Sequence, residues 1–183
     1  NPAVVQDALT PRGEATRVAH SNLPLGNAAS FNGADGSRFF TANLSLGTDV
    51  RGAWAVEFWL RNQNTAKPTY FLEGGTAAGV LNSPGLIQGY NGPRLEMFGG
   101  SGRTGADGPS LTDPGWHHLL FGYLGSAAGD GAANRHDIYL DGVRVSSQTG
   151  DFSTPLVFGA GGLGVGGTLL GSGMSVLSGQ MDE

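Results

Sequence analysis

Hydrophobic and polar positions alternate most strictly between Ala53 and Arg61. One face of this segment carries Trp54, Val56, Phe58 and Leu60, and the opposite face carries Ala53, Ala55, Glu57, Trp59 and Arg61. Because successive side chains of a strand point to opposite faces, this period of two residues predicts a half-buried β-strand. His117–Leu124 shows the same period, with His117, Leu119, Phe121 and Tyr123 sharing one face.

Shorter segments of similar character follow one another along the chain, bounded by glycine, proline, asparagine or aspartate. They are Thr16–Ser21, Ser37–Asn43, Thr69–Glu73, Leu86–Tyr90, Arg94–Phe98, Leu156–Phe158, Leu163–Val165 and Met174–Leu177. A further pair, Asp137–Leu140 and Val143–Ser147, is separated by Asp141-Gly142. This dipeptide predicts a two-residue hairpin turn, because a type I′ turn needs positive φ at both central positions.

The chain shows no convincing helical period. Many short strands separated by turns predict an all-β fold, an antiparallel sandwich or jelly roll. Residues 1–27, with prolines at positions 2, 11 and 24, are predicted to form an N-terminal extended arm. Residues 28–183 are then predicted to form a single domain.

The composition agrees with a fold that is rich in turns. Glycine supplies 33 of the 183 residues. These glycines show no period of three, which excludes collagen, and each glycine inside a helix would cost about 1 kcal/mol relative to alanine. Hydrophobic residues make up 39% of the chain, which is enough apolar surface for a core and argues against intrinsic disorder.

Charge and cysteine content exclude several classes of partner and site. The formal net charge is −5, and the 10 basic residues form no stripe, so we expect no nucleic-acid partner. No apolar run is long enough to cross a bilayer, so we expect no membrane insertion. The chain has no cysteine, which excludes disulfides, zinc–thiolate sites and cysteine catalysis.

Two motifs that often carry chemistry are interpreted as structural. Gly159, Gly161 and Gly164 match G-x-G-x-x-G, but the residues that follow do not start a helix, which a phosphate-binding loop requires. We interpret this stretch as a glycine-rich bend. His117 and His118 are adjacent on a predicted strand, so their side chains point to opposite faces and do not share one metal ion.

The acidic residues give no catalytic pattern. Glycoside hydrolysis needs two carboxyl groups about 5–9 Å apart on one cleft. The strand-borne E-x-D-x-x-E arrangement is absent, although Glu57 and Glu96 are candidates for neighbouring strands. The G-x-S-x-G motif of serine hydrolases is absent as well. We therefore expect no enzymatic activity.

Five segments together resemble the laminin G-like, concanavalin A-like lectin/glucanase superfamily, in its bacterial and pentraxin-like branch. They are Ala29-Ser30-Phe31-Asn32-Gly33 with Phe39 after it, Trp54–Leu60, Gly115–Leu119 with Tyr123, Ile138–Val143 and Leu177–Glu183. Their order and spacing match the family from about residue 28 to the end of the chain. The resemblance implies an antiparallel jelly-roll sandwich that binds glycans or proteins.

The resemblance also implies a calcium ion and raises a question about the last strand. Similar modules often bind calcium through the acid of the closing segment and a loop near the first one, here Asp182 and the Asn32–Asp35 loop with Asp35. Oxygen ligands of this kind suit calcium.

In similar domains a final strand carries an aromatic residue into the core after the closing segment, whereas this sequence stops at Glu183. We hypothesise that the N-terminal arm, of this or a neighbouring chain, pairs along the edge left open.

The predicted function is non-enzymatic recognition of a glycan or an extracellular protein. The candidate ligand-binding residues are Glu57, Trp59, Arg61, Arg94, Glu96 and Phe98. The alternative is a structural subunit of an extracellular assembly, self-associated by β-strand addition through the arm or an open sheet edge. Both hypotheses place the protein outside a bacterial cell, secreted or at the cell surface. Trp59 also has a purely structural interpretation, as a side chain covered by a loop.

Overall fold

A computed structural model describes most of the predicted strands. The described residues are 10–12, 15–19, 27–34, 38–41, 53–63, 69–74, 85–88, 94–98, 108–109, 111, 113–124, 135–149, 163–167 and 177–182. They contain strands and turns but no helix, and so no helix that could span a membrane.

The described strands form two antiparallel sheets. The first has six strands in the order β1-β4-β12-β6-β7-β8, and the second has seven in the order β11-β10-β9-β5-β13-β3-β2. The strands are β1 (Thr10–Arg12), β2 (Thr16–Ala19), β3 (Asn27–Asn32), β4 (Arg38–Thr41), β5 (Trp54–Asn62), β6 (Thr69–Gly74), β7 (Gly85–Gln88), β8 (Leu95–Phe98), β9 (His117–Tyr123), β10 (Arg135–Leu140), β11 (Val143–Thr149), β12 (Leu163–Val165) and β13 (Ser178–Asp182). The predicted jelly-roll sandwich is therefore confirmed.

The hydrophobic core joins the two sheets. Phe58 of β5 and Phe71 of β6 meet edge to face with ring centroids 6.1 Å apart, and Phe58 also stacks on Phe121 of β9. Other fully buried members of the same cluster are Leu60, Leu95, Leu119, Ile138 and Leu177. The alternation predicted for β5 and β9 thus directs one face of each strand into the core.

The predicted hairpin is confirmed at Asp141-Gly142. Asp141 has φ +51° and Gly142 has φ +80°, the positive values that a type I′ turn requires. The strands that it joins are longer than predicted, since β10 starts at Arg135 and β11 ends at Thr149. A register shift between Ile138 and Tyr139 shows a bulge in this pair.

Three strands were not among the predicted segments: β1, β3 and β13. The strand expected at 174–177 is not observed at Leu177, and β13 begins one residue later. Leu156–Phe158 and residues 174–176 lie outside the described residues. Of the glycine motif, Gly164 lies in β12, and Gly159 and Gly161 lie outside the described part.

Residues of the predicted arm contribute strands to both sheets. β1 pairs with β4 and β2 pairs with β3, so each lies at one end of a sheet. The closing strand β13 lies inside the seven-stranded sheet, between β3 and β5. The domain boundary at residue 28 stays a prediction.

Candidate functional site

The candidate site lies on the face of the seven-stranded sheet that points away from the core, which we call the outer face. Glu57, Trp59 and Arg61 alternate with the core residues Phe58 and Leu60, so β5 presents all three side chains on this face. Glu57 is exposed, whereas Trp59 and Arg61 are half-buried. These positions agree with the predicted outward direction.

A histidine from the neighbouring strand completes the cluster. The register of β5 and β9 sets Trp59 directly opposite His118. The two rings lie 5.2 Å apart between centroids, at an interplanar angle of 47°. His118 Nε2 also lies 3.4 Å from Glu57 Oε2, at side-chain exposures of 28% and 64%. We call Glu57, Trp59, Arg61 and His118 the outer-face cluster.

Arg61 ties the cluster to the segment that leads into β9. Its Nε donates a hydrogen bond to the carbonyl oxygen of Pro114 at 3.2 Å. That segment is itself turned by Asp113, whose carboxylate accepts a hydrogen bond from the Gly115 N–H at 2.8 Å. The hydrogen bond from Arg61 fixes one side of the guanidinium, a group with five N–H donors in all.

The adjacent histidine faces the other way, as the sequence predicts. His117 lies opposite Leu60 in the register, on the core side of the sheet. Its Nδ1 donates to Oδ2 of Asp141 at 2.8 Å, and the His118 N–H donates to Oδ1 of the same carboxylate at 2.9 Å. Desolvation alone would raise the pKa of Asp141, but the two hydrogen bonds and the electrostatic attraction of His117 and His118 together outweigh it and lower the pKa below its ordinary value. The hairpin turn thereby holds the start of β9 beside the outer-face cluster.

The second group of predicted ligand residues lies elsewhere. β8 belongs to the six-stranded sheet and β5 to the other, so the expectation that Glu57 and Glu96 lie on neighbouring strands is wrong. Leu95 and Met97 point into the core, which directs Glu96 to the opposite side of the sandwich from Glu57. Sheet membership depends on how the chain crosses between sheets, and alternation along one strand does not contain that information.

Glu96 is also far less accessible than expected. Its side chain is 5% exposed, and its Oε1 lies 3.9 Å from Nε of Arg94, which is 43% exposed. Phe98 belongs to β8, but its side chain is outside the described part. A role of these three residues in ligand binding stays a prediction.

The proposed calcium ligands are described only in part. Asp182 is buried at the end of β13, opposite Trp59 in the register. Asp35 lies outside the described residues, so the calcium site stays a prediction. Within the described ranges, no group of three or more histidine or acidic residues is arranged to hold a metal ion.

Sequence reasoning missed His118 as a member of the site. The pair His117-His118 was interpreted as structural, which fits His117. The signal for His118 was its place on the polar face of β9. Recognising its partners required the register that places His118 beside Trp59, and this register is not readable from a single strand.

The outer-face cluster combines groups that suit a polar ligand with an apolar face. An indole ring offers a flat contact surface, and the carboxylate, guanidinium and imidazole around it supply hydrogen-bond acceptors and donors. The arrangement can bind and orient a ligand of this kind.

Solved structures of similar fold include a domain of an arabinanase, laminin G domains and a carbohydrate-binding module. Domain 4 of AbnA, a GH43 extracellular arabinanase from Geobacillus stearothermophilus in complex with arabinotriose, matches with a TM-score of 0.66 and 19% identity. The match covers 93% of this chain and 73% of that one. Domains LG4-5 of the mouse laminin α1 chain match with a TM-score of 0.58 and 17% identity, covering 92% of this chain and 40% of that one.

A further match is the CBM40 domain of Ruminococcus gnavus IT-sialidase bound to α2,3-sialyllactose. Its TM-score is 0.55 at 12% identity, over 83% of this chain and 89% of that one. No family model matches the chain, and no curated protein matches it either. At these identities the matches show a shared jelly-roll fold, whereas membership of the laminin G-like, concanavalin A-like superfamily and of its pentraxin-like branch stays a prediction.

Proposed function

We propose that the protein is a non-enzymatic recognition module that binds a glycan on the outer face of the seven-stranded sheet. The observation that carries this proposal is the half-buried Trp59 ring, held against His118 and flanked by Glu57 and Arg61. A sugar ring has an apolar face for the indole and hydroxyl groups for the charged side chains. Exposure favours this cluster over Glu96, whose carboxylate is largely covered.

Structures of similar fold give this proposal coarse support. The arabinanase domain is in complex with arabinotriose, and the CBM40 domain is bound to a sialyllactose. The proposed setting is extracellular, in a bacterium, with a calcium ion at Asp35 and Asp182 as a further part of the proposal. The identity of the sugar is left to a glycan screen.

The test is binding to a glycan array by the protein and by two variants. Trp59→Ala removes the ring and is expected to weaken binding at least about ten-fold, since aromatic anchors often contribute more than 1.4 kcal/mol to recognition. Val143→Ala is the matched control, because Val143 is 64% exposed and lies at the far edge of the same sheet. Binding that survives in a folded Trp59→Ala variant, or its absence for every glycan, would contradict the proposal.

A specific observation also favours the second candidate function, self-association into an assembly. β11 ends the seven-stranded sheet, is seven residues long, contains no proline and carries Arg144 as its one charged residue. Most of its residues are exposed. Natural edge strands are usually blocked by charge or proline, so an edge of this kind is suited to antiparallel pairing with β11 of a second copy.

Sedimentation velocity across a range of concentrations tests this second candidate. We expect a concentration-dependent dimer that is lost in Ser147→Lys, because a charge on the edge opposes strand pairing. Thr16→Lys places the same charge at an exposed position on β2, at the opposite end of the sheet, and is expected to leave the dimer intact. A strictly monomeric protein would remove the candidate.

A further inference from the structure

The outer-face cluster has a polar continuation on the two strands beyond β5. Gln180 of β13 lies directly opposite Arg61 of β5 on one side and directly opposite Ser30 of β3 on the other. Ser178 and Asn32 form the next such pair, two residues along the same strands. Directly opposite residues of an antiparallel pair point to the same face of the sheet, with Cβ atoms about 5 Å apart. Gln180, Ser30, Ser178 and Asn32 therefore stand together, and we call them the polar patch.

The core residues next to the patch fix the direction of its side chains. Met181 of β13 and Phe31 of β3 are buried members of the hydrophobic core. Because side chains alternate along a strand, the preceding residues Gln180 and Ser30 point away from the core. Arg61 points the same way from β5. The polar patch is therefore part of the outer face.

The patch is accessible and carries no charge. Asn32 is exposed, and Gln180, Ser178 and Ser30 are half-buried. Amide and hydroxyl groups both donate and accept hydrogen bonds, which is what the hydroxyl groups of an uncharged sugar require. The amide of Asn32 is held in place, because its Oδ1 accepts a hydrogen bond from the Ala34 N–H at 3.0 Å. The patch is therefore suited to recognising a ligand by hydrogen bonds and not by charge.

The distance from Trp59 across the patch is greater than the width of one sugar ring. Neighbouring strands lie about 4.8 Å apart, so β5 and β3 are separated by roughly 10 Å. A single sugar placed on the Trp59 indole can contact Arg61 or His118, but it does not reach Ser30. The second and third residues of a sugar chain directed across the strands come to lie over Gln180 and Ser30.

On the other side of β5, the neighbouring strand offers a sugar much less. The residues of β9 directly opposite Glu57 and Ala55 are Leu120 and Gly122, and neither has a side chain that forms hydrogen bonds. His118 is the one polar residue among the outward positions of β9. Hydrogen-bonding side chains therefore continue from the outer-face cluster onto β13 and β3.

We propose that the ligand of the outer face is an uncharged oligosaccharide of at least three sugar residues, which runs across the strands from Trp59 to Ser30. This rests on the proposed function, since the first sugar lies on the Trp59 indole, and it adds the class and the direction of the ligand. Glu57 and Arg61, at the start of the chain's path, carry opposite charges and offer no net charge to an acidic sugar. Hydrogen bonds to Gln180 and Ser30 hold the residues that follow.

A length series tests the class of the ligand. The probes are gluco-, galacto-, manno-, xylo- and arabino-oligosaccharides of one to four residues, with oligogalacturonates as the acidic series, each titrated by NMR. We expect an uncharged series to bind, with an affinity that rises at least about ten-fold from one residue to three, as two added hydrogen bonds allow. Equal affinity at every length, or a preference for the oligogalacturonates, would overturn the inference. Absence of binding by every series would contradict the proposed function as well.

Three variants separate this inference from the proposed function. Gln180→Ala removes an amide from the polar patch and is expected to weaken binding of the uncharged trisaccharide about three-fold to ten-fold, with the monosaccharide unchanged. Trp59→Ala is expected to weaken both, because both contact the indole. Gln148→Ala is the matched control and is expected to change neither, since Gln148 is exposed on β11 at the far end of the sheet.

The variants give different results for the two proposals. If Trp59→Ala abolishes binding and Gln180→Ala leaves the trisaccharide unaffected, the inference is wrong and the proposed function stands. If Gln180→Ala weakens the monosaccharide and the trisaccharide equally, the residue acts through the fold of β13, and the inference is wrong again. Binding that survives in folded Trp59→Ala contradicts the proposed function itself.

Discussion

At the scale of single residues, His118 links Glu57 and Trp59 within the outer-face cluster. Its Nε2 faces the carboxylate of Glu57 at 3.4 Å, and its ring lies tilted against the indole of Trp59. Trp59 is therefore held by side chains on its own face of the sheet. These contacts agree with a structural role of the ring as well as with ligand binding. A ring that is held in place and half exposed is pre-organised for a ligand, because little side-chain entropy remains to be lost.

A second histidine carries a prediction about acid stability. His136 is fully buried and stacks on Tyr123, with ring centroids 4.9 Å apart. Desolvation by burial lowers the pKa of His136 to about 4, against 6.5 in its ordinary state. Between these two pKa values the histidine is protonated in the unfolded chain and neutral in the folded chain. The contribution of His136 to the free energy of unfolding is fully present above about pH 6.5. It is lost as the pH drops toward about 4, which lowers the free energy of unfolding by roughly 3 kcal/mol in all.

The measurement is urea unfolding of the protein and of His136→Phe at about pH 7.5 and about pH 4.5. Phenylalanine keeps an aromatic ring against Tyr123 and does not titrate. We expect the variant to lose less stability between the two pH values by about 2–3 kcal/mol. Identical losses in both proteins would show that His136 is not the group responsible.

At the scale of strands, the sequence predicted those with a long alternation of apolar and polar residues. It did not predict features that depend on how strands pair with one another. β5 and β9 alternate over many residues, and both were placed within two residues of their ends. β13 was missed because Ser178, Gly179 and Gln180 are polar or small, and its burial comes from lying between β3 and β5. β8 was found as a strand, but its sheet was not predictable from its own residues.

Gly179 shows why the closing strand needs its particular sequence. A Cβ at this position would overlap the carbonyl oxygen of Arg61 on the adjacent strand β5. The backbone of β5 cannot move aside as a flexible side chain could. We therefore expect Gly179→Ala to lower the free energy of unfolding by about 3 kcal/mol, the upper part of the usual range for overpacking.

Gly122→Ala is the matched control in the same sheet. The nearest atom to its Cβ would be Cδ2 of Leu120 at 3.8 Å, an ordinary contact. With space available, the substitution is expected to be neutral or to stabilise the protein by less than about 1 kcal/mol, because alanine restricts the unfolded chain. Denaturant unfolding of the two variants checks the pair. Equal effects would contradict a specific close approach at Gly179.

At the scale of the whole molecule, the two sheets separate residues that look equivalent in the sequence. Glu57 and Glu96 each sit between apolar neighbours on a strand, yet they lie on opposite sides of the sandwich with exposures of 64% and 5%. The jelly roll itself was predictable because period-two patterns, turn residues and five family-like segments all agree. Of the outer-face cluster, only Glu57, Trp59 and Arg61 of β5 were predictable from the sequence. His118 of β9 joins them through the pairing of β5 with β9, which the sequence of one strand does not show.

The central claim is that a glycan binds the outer face of the seven-stranded sheet. The most direct test is NMR mapping of a glycan identified on the array, with the Trp59 indole N–H and the backbone amides of β5, β9, β6 and β8 as reporters. We predict that the largest shifts fall on Trp59, Arg61 and His118, with β6 and β8 unaffected. Shifts confined to Tyr70 and Glu96 of the six-stranded sheet, and to Arg94 just before β8, would contradict the claim.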